Sequence, residues 1–308
     1  MSQKHHLCIC ICTYKRPKLL ENLLQQLDEQ ETGGLFDYSI VIVDNDRYES
    51  ARGIVETYAR QSKITISYYT EPRQNIALAR NKGIEVSRGD FIGFIDDDEF
   101  VDSQWLLNLY KTINLYKADG VLGPVLPYFE KEPPKWVLKG RFFDRPIHIT
   151  GHVLKWQNTR TGNALLKRTI FEEDRIWFRQ EFGSGGEDRD FFRRKIERGL
   201  FFIWCNEAPV FEIVPEDRWQ NKVLIKRALL RGKMAFNYSR SRPKNMLVSI
   251  TAIFIYSISL PLLFVLSPII GYDVFMTYLI KNCDHLGNIS SLFNINLIKE
   301  KYISRSSP

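Results

Sequence analysis

The feature that most constrains this sequence is a short apolar run that ends in four consecutive acidic residues. The run from Phe91 to Ile95 consists of strand-forming residues and is too short for a helix, and the acidic residues Asp96 to Glu99 follow it without a break. Because adjacent carboxylates repel one another, their position at a strand end calls for a reason. A hard divalent cation supplies one, since Mg²⁺ and Mn²⁺ prefer carboxylate oxygens and share their coordination with phosphates. The alternative is a solvated acidic turn in which Asp98 or Asp102 caps the next helix.

Strand-like and helix-like stretches alternate along the N-terminal part of the chain. The predicted strands are Leu7 to Ile11, Tyr38 to Val43, Ile64 to Tyr69 and the run into Asp96. The predicted helices begin at Pro17, Ala51 and Asn75. Continuous apolar strands joined by helices are typical of an α/β fold, a mostly parallel sheet with helices on both faces. Further along we expect a helix over Trp105 to Tyr116, a strand over Val121 to Tyr128 and a long loop over Lys131 to His152.

Polar clusters follow three of the predicted strands, at the edge where open α/β sheets bind ligands. They are Thr13-Tyr14-Arg16, Asp44-Asn45-Asp46 and Asp96-Asp97-Asp98. This arrangement predicts a nucleotide pocket at that edge. The glycine-rich motifs of dinucleotide-binding Rossmann domains and of P-loops are missing from the sequence, so phosphate must be held by metal and by basic side chains such as Arg16, Arg80 or Lys82.

Composition narrows the class of partner. The net charge of +7 over 308 residues suits an anionic partner such as a nucleotide or a phospholipid headgroup. No aromatic-basic motif supports nucleic-acid binding, so we expect no nucleic-acid partner. Five cysteines, an odd and sparse set, indicate reduced thiols in the cytosol, and the N-terminal residues lead straight into a strand pattern, which predicts no signal peptide.

Five ordered blocks carry a family resemblance. They are Cys12 to Pro17, Val43 to Asn45, Ala79 to Gly83, Gly89 to Ile92 and Phe94 to Glu99. Together they resemble the successive blocks of glycosyltransferase family 2, over about the first three quarters of the chain. The resemblance implies the GT-A fold and an inverting, metal-dependent hexosyltransferase. It is strongest to bacterial enzymes of exopolysaccharide and lipopolysaccharide assembly, of the succinoglycan type.

The resemblance also implies roles for residues of the predicted pocket. It makes Asp96 to Asp98 the DxD motif, with Asp98 the preferred ligand of Mn²⁺ or Mg²⁺ and Asp96 close to the metal, the ribose or the diphosphate. It places Thr13 and Asp44 against the nucleoside and Arg80 near the diphosphate. The nucleotide-sugar-binding set that we expect is therefore Thr13, Tyr14, Arg16, Asp44, Arg80, Asp96 and Asp97.

A second informative stretch is the glycine-rich run that ends in Gly186-Glu187-Asp188 and opens a predicted helix. Acidic residues at a helix N-terminus complement the helix dipole, and Asp188 could do only that. Glycosyl transfer also needs a base for the acceptor hydroxyl, and a carboxylate at a glycine-flanked helix start suits the task. The resemblance places this base on Asp188 and leaves Glu187 to bind the acceptor or support the base. Asp190 is the residue most easily confused with it.

The C-terminal part is basic and then apolar. Arg227 and Arg231 resemble a late basic block of the family that closes over the diphosphate, although a solvated face or a lipid-facing surface explains them equally well. The stretch 245–272 has no charged residue and is long enough to cross a bilayer, but Pro261 and Pro268 interrupt it. Because the prolines should halve a span, we expect interfacial membrane association rather than a full span.

These inferences combine into one hypothesis for the chain. We expect a nucleotide-sugar-binding half over 1–120, an acceptor-binding half over 121–240 and a membrane-associated helical segment over 241–308. The enzyme would act at the cytoplasmic face of the inner membrane, moving a sugar from a nucleoside-diphosphate sugar to a hydroxyl of a lipid-linked saccharide. The alternatives are transfer to polyprenyl phosphate, which needs no base, and a catalytically silent membrane scaffold.

Overall fold

The computed structural model describes residues 4–172, 176–183, 185–237, 242–293 and 295. The strands are β1 (His5–Thr13), β2 (Phe36–Asp44), β3 (Ile66–Thr70), β4 (Phe91–Asp96), β5 (Glu99–Val101), β6 (Gly120–Leu122), β7 (Val125–Tyr128), β8 (Asn163–Lys167), β9 (Phe202–Trp204) and β10 (Val210–Ile213). The α-helices are α1 (Pro17–Asp28), α2 (Arg52–Ala59), α3 (Ile76–Val86), α4 (Trp105–Tyr116), α5 (Lys135–Gly140), α6 (Glu187–Glu197), α7 (Asn221–Asn237), α8 (Arg242–Ile270) and α9 (Tyr272–Leu292).

A mostly parallel sheet forms the centre of the fold, as the sequence predicts. Its strand order is β3-β2-β1-β4-β8-β6-β9. The first four strands are parallel to one another, and β8 runs antiparallel between β4 and β6. The register pairs Thr13 with Asp44 and Cys12 with Asp96. The predicted site residues Thr13, Asp44 and Asp96 therefore lie at the same edge of the sheet.

Helices cover both faces of this sheet. On one face, α1, α2 and α4 bury Leu20, Val55 and Trp105 against the strands. On the other face, α3 and α6 pack through Ile84, Phe191 and their neighbours. Helix α3 lies unusually close to the sheet, because a Cβ at Gly83 would collide with the Sγ atom of Cys10 on β1. This close approach fixes the helix that carries Arg80.

The predicted strand over Val121 to Tyr128 is wrong as a single element. The chain forms β6, breaks at Gly123-Pro124, and continues as β7 in a three-stranded sheet of order β5-β10-β7. A side chain at Gly123 would collide with the Ala208 carbonyl and with Asn163. Proline lacks the N–H that a continued ladder requires, which explains why the strand changes sheets here.

The stretch Lys131 to His152 is only partly the loop that we expected. It contains α5, whose Trp136 packs edge-to-face on Tyr272 of α9. By compactness, residues 127–144 group with 213–293, and residues 4–126 group with 145–212. The predicted divisions at residues 120 and 240 stay predictions.

The C-terminal unit contains the apolar segment. Helix α8 runs unbroken from Arg242 to Ile270 with Pro261 and Pro268 inside it, so the expectation that the prolines halve the segment is wrong. One reason is visible at Pro268, which cannot donate to the Phe264 carbonyl; the hydroxyl of Ser267 donates to that oxygen instead, at 2.7 Å. Within the described residues, Met246–Ile270 is the one helix long and apolar enough to cross a membrane. It packs on α9 and leaves much of its apolar surface exposed.

Candidate active site

The acidic strand end is held in place by residues of the β1–α1 loop. The Thr13 hydroxyl donates to Oδ2 of Asp97 at 2.7 Å, and the Arg16 guanidinium contacts Oδ1 of Asp97 at 3.0 Å. Arg16 also pairs with Oδ2 of Asp98 at 2.9 Å. Burial raises the pKa of Asp97 to about 6, against the opposing influence of Arg16. Both oxygens of Asp97 are therefore engaged inside the protein, and this carboxylate orders the loop.

Asp96 is the accessible member of the acidic run. Its side chain is 44% exposed, whereas those of Asp97 and Asp98 are largely buried. Its Oδ1 lies 3.3 Å from the Arg80 guanidinium. Asp96 thus faces the open edge of the sheet where the sequence predicts the donor.

Glu99 has a supporting role that sequence reasoning missed. Its Oε2 accepts a hydrogen bond from the backbone N–H of Asp96 at 2.9 Å. Burial, together with the repulsion of Asp96, raises the pKa of Glu99 well above its usual range. Gly162 borders both carboxylates, because a Cβ there would lie 2.9 Å from Oε1 of Glu99 and 3.0 Å from Oδ2 of Asp96. Gly162, at the start of the turn into β8, therefore bounds the acidic site.

The acidic residues fit a divalent cation as part of its coordination. Within the described residues no three His, Cys, Asp or Glu side chains converge to form a complete metal cage. The donor set is nevertheless suitable: four carboxylates, Asp96 to Glu99, are neighbours, and Arg16 and Arg80 form ion pairs with three of them. Asp96 and Asp98 could hold Mg²⁺ or Mn²⁺ if phosphate oxygens completed the shell, which is how such ions usually bind.

The start of α6 brings the second acidic pair to the same site. Glu187 is buried and forms an ion pair with Arg80, the residue that also contacts Asp96. Burial raises the pKa of Glu187 to about 7, and the charge of Arg80 limits the rise. A single guanidinium therefore links the strand end to the helix start.

Asp188 is half-buried and keeps one oxygen available. Its Oδ1 accepts the backbone N–H of Arg189 at 2.7 Å, and Oδ2 makes no hydrogen bond within the described residues. The preceding Gly185 and Gly186 have φ of 130° and 96°, a conformation that side chains rarely adopt. The glycines thus permit the turn that presents this carboxylate.

Asp190 has a different environment. Its side chain is 1% exposed, and its Oδ2 lies 2.8 Å from Arg194 and 3.6 Å from Arg179. These contacts are what a structural carboxylate makes, so the geometry separates Asp190 from Asp188.

The remaining predicted residues are placed as follows. Asp44 is fully buried and accepts hydrogen bonds from the backbone of Asp46 and Ala51 and from the Tyr68 hydroxyl, which shapes the loop after β2. Tyr14 is half-buried at the end of β1.

The two predicted arginines of α7 lie in the C-terminal unit. Arg231 pairs with Asp284 of α9 at 2.7 Å, and Arg227 stacks on Phe143. The nucleoside role of Asp44 and the diphosphate role of both arginines stay predictions.

Comparison with known proteins identifies the family. The model of glycosyl transferase family 2 matches residues 8–175. This chain belongs to glycosyltransferase family 2. It is 37% identical to the succinoglycan biosynthesis protein ExoM of Rhizobium meliloti over 235 residues, which are 74% of this chain and 73% of ExoM. The protein is therefore a glycosyltransferase related to enzymes of exopolysaccharide synthesis, and the family predicted from the five sequence blocks is confirmed.

Solved structures confirm the GT-A fold. The mannosyltransferase PcManGT of Pyrobaculum calidifontis, in complex with GDP-Man and Mn²⁺, matches with a TM-score of 0.66 and 16% identity over 95% of this chain and 88% of that one. TarS 1–349 of S. aureus, in complex with UDP-GlcNAc, matches with a TM-score of 0.54 and 15% identity over 99% of this chain and 98% of that one.

Proposed function

We propose that this glycosyltransferase is inverting and metal-dependent, and that it moves a sugar from a nucleoside-diphosphate sugar to a saccharide hydroxyl in cell-surface polysaccharide synthesis. The observation that carries the proposal is the position of Arg80, which contacts Asp96 at the strand end and Glu187 at the helix start. A donor side and an acceptor side of one reaction would meet at this residue.

On the donor side, Asp96 and Asp98 would hold the divalent ion. When bound, the ion supplies electrostatic stabilisation of the departing nucleoside diphosphate. Thr13, Arg16 and Asp97 hold each other in place by the contacts at the strand end, so the loop that carries Tyr14 is ordered before the nucleotide arrives. Asp44 orders the loop after β2, against which the base would lie.

On the acceptor side, Asp188 would take the proton. Its Oδ2 accepts the proton of an acceptor hydroxyl. At the same time the hydroxyl oxygen of the acceptor bonds to the anomeric carbon, and the nucleoside diphosphate leaves from the opposite face. A single displacement of this kind inverts the anomeric centre. Glu187, fixed by Arg80, would orient the acceptor and hold the start of α6.

The acceptor is proposed to be lipid-linked and the site to be at the cytoplasmic face of the membrane. The support is α8, which is long and apolar enough to span and whose apolar side chains are largely exposed. A membrane-bound enzyme meets a lipid-linked acceptor at high local concentration.

Donor hydrolysis by the purified full-length protein tests the proposal. Nucleotide sugars with different bases would be incubated with Mn²⁺, with Mg²⁺ or with chelator. We expect release of nucleoside diphosphate from one donor, loss of release with chelator, and loss of metal-dependent donor binding in Asp98→Asn with a nearly unchanged melting temperature. Donor binding that survives both chelator and Asp98→Asn would overturn the metal assignment.

Transfer to polyprenyl phosphate is the second candidate, and the exposed apolar surface of α8 is what favours it. That acceptor is already an anion and needs no base. It therefore predicts that Asp188→Asn keeps its activity, whereas transfer to a hydroxyl predicts a large loss.

A further inference from the structure

A small pocket separate from the acidic strand end lies beside the start of α6. Its volume is about 190 Å³, and it is lined among others by Arg145, Arg160, Arg189, Asn163 and Trp204. It is smaller than the roughly 300–1,000 Å³ of pockets for drug-sized ligands, so it suits one sugar ring or a substituent. The residues Asp96 to Glu99 are not part of its lining.

The pocket concentrates positive charge. Arg145 is neutralised by an ion pair with Glu212. Arg160 and Arg189 make no ion pair within the part of the chain that the structure describes. Burial and the like charges of Arg145 and Arg189 lower the pKa of Arg160 to about 10, and the charges of Asp188 and Glu212 oppose this effect. Like charges that share a partly closed space are unfavourable unless a counter-charge joins them.

A buried donor adds a second, independent sign. Trp204 lines the pocket, and its indole N–H is buried without a hydrogen-bond partner among the described residues. An unsatisfied buried N–H costs free energy, and tryptophan in a protein interior usually finds an acceptor. A ligand oxygen that reached this N–H through a small shift of the indole would supply the acceptor.

The wall of the pocket is rigid. The Nδ2 group of Asn163 donates to the carbonyls of Pro124 and Ala208 at 2.9 and 2.7 Å, and its Oδ1 accepts from the indole of Trp105 at 2.9 Å. Both N–H groups of this side chain are therefore engaged, so it has no donor left for a ligand and serves to fix the pocket. A preformed pocket loses little entropy when a ligand binds.

We propose that this pocket binds an anionic group, a carboxylate or a phosphate, carried by a sugar that takes part in the transfer. The guanidinium fork of arginine matches both groups by two parallel hydrogen bonds. Asp188, the proposed base, acts electrostatically on Arg160 of the pocket, so the anion would lie near the reacting sugar. The inference rests on the proposed function, because it assigns the ligand to a substrate of that reaction.

Matched sugar probes test the inference on the purified full-length protein. Binding of methyl β-glucuronoside, glucose 6-phosphate and methyl β-glucoside would be compared by ligand-observed NMR. We expect the two anionic sugars to bind at least about tenfold more tightly than the neutral one, which is the effect of a charge-assisted hydrogen bond. Arg160→Gln and Arg189→Gln should each remove this preference, and the exposed Arg60→Gln should keep it.

Two further measurements separate the pocket from the nucleotide site. Affinity for the free nucleoside diphosphate should change less than twofold in Arg160→Gln, and Trp204→Phe should weaken the anionic probes alone. Competition with a neutral nucleotide sugar then shows which substrate carries the anion. If the nucleotide sugar displaces the anionic probe, the anion belongs to the donor sugar; if both bind at once, it belongs to the acceptor.

Two outcomes overturn the inference. One is equal binding of the neutral and anionic probes to the wild-type protein. The other is a loss of nucleoside-diphosphate affinity in Arg160→Gln as large as the loss for the probes, because the pocket would then serve the donor diphosphate. Failure of the proposed function would appear separately, as nucleotide binding that is unaffected by chelator and by Asp98→Asn.

Discussion

Arg80 on α3 forms a buried ion pair with Glu187, the first residue of α6, which lies 107 positions further along the chain. The same guanidinium approaches Asp96, and the two carboxylates favour its charged form. Arg80→Gln would leave the buried Glu187 and the partly exposed Asp96 without their cation. We expect a loss of about 3 kcal/mol in the free energy of unfolding, measured by urea denaturation, together with loss of transfer.

A lysine in the same helix provides the control for Arg80. Lys82 makes a surface pair with Glu85, and such pairs contribute about 0–1 kcal/mol. Lys82→Gln should therefore be nearly neutral. Equal effects of the two substitutions would show that Arg80 does not hold the site together.

Glu187 gives a prediction for pH. A carboxyl whose pKa rises from 4.5 to about 7 on folding stabilises the folded protein at low pH and loses that contribution as the pH increases through about 7. The stability of Glu187→Gln relative to the wild type should therefore increase by about 1–3 kcal/mol between pH 5 and pH 8. Melting curves across this range measure the difference. The raised pKa would be contradicted if the difference in stability, variant minus wild type, were smaller at pH 8 than at pH 5.

The neighbouring aspartates predict opposite results. Asp188→Asn should reduce the rate of transfer by about 10²–10⁴-fold, the contribution of a general base, while the melting temperature changes little. Asp190→Asn should lower the melting temperature, because it weakens a buried pair with Arg194, and should keep most of the activity of the folded protein. Steady-state kinetics and thermal denaturation of both variants measure these effects. A large loss of rate in Asp190→Asn with little loss in Asp188→Asn would reverse the two assignments.

Gly162 tests how closely the acidic site is bounded. In Gly162→Ala the new methyl group would press on Glu99 and Asp96, and we expect metal-dependent donor turnover to fall at a stability cost of about 1–3 kcal/mol. Gly53 in α2 has open space around it, so Gly53→Ala should stabilise the protein by about 0.4–1 kcal/mol and leave turnover unchanged. Unchanged turnover in Gly162→Ala would mean that the neighbouring carboxylates adapt freely.

The exposed face of α8 gives a test of the proposed membrane association. Ile258→Arg places a charge in the middle of the apolar helix, where it costs about 2.5–3.5 kcal/mol in a bilayer. The fraction of protein that sediments with lipid vesicles should fall. Leu115→Arg, on the exposed side of α4, should sediment like the wild type. Equal sedimentation of the two variants would exclude Ile258 from the lipid contact.

The sequence predicts best what is local. The strand that ends at Asp96 and the helix that follows Asn75 are visible because apolar spacing and a capping residue lie within a few positions. The ion pair of Arg80 with Glu187 joins residues that no local pattern connects. The support of Asp96 by Glu99 was missed for another reason: in a run of acidic residues, nothing local distinguishes a ligand from the carboxylate that braces it.

Two errors have the same physical origin. The predicted single strand across Gly123-Pro124 and the predicted interruption of α8 by its prolines are both wrong, because the effect of a proline depends on what replaces its hydrogen bond. After Pro124 the chain forms backbone hydrogen bonds in a second sheet, as strand β7. In α8 the hydroxyl of Ser267 satisfies the carbonyl that Pro268 leaves open.

The close approach of α3 to β1 also bears on how this chain can diverge. Gly83 has no room for a side chain because the thiol of Cys10 occupies it, so a substitution at one position is accepted only after the other residue becomes smaller. The two positions should therefore covary among homologues, with an alanine at position 83 accompanied by a glycine or alanine at position 10. Homologues with this alternative pair should keep α3, and with it Arg80, at the same distance from the sheet.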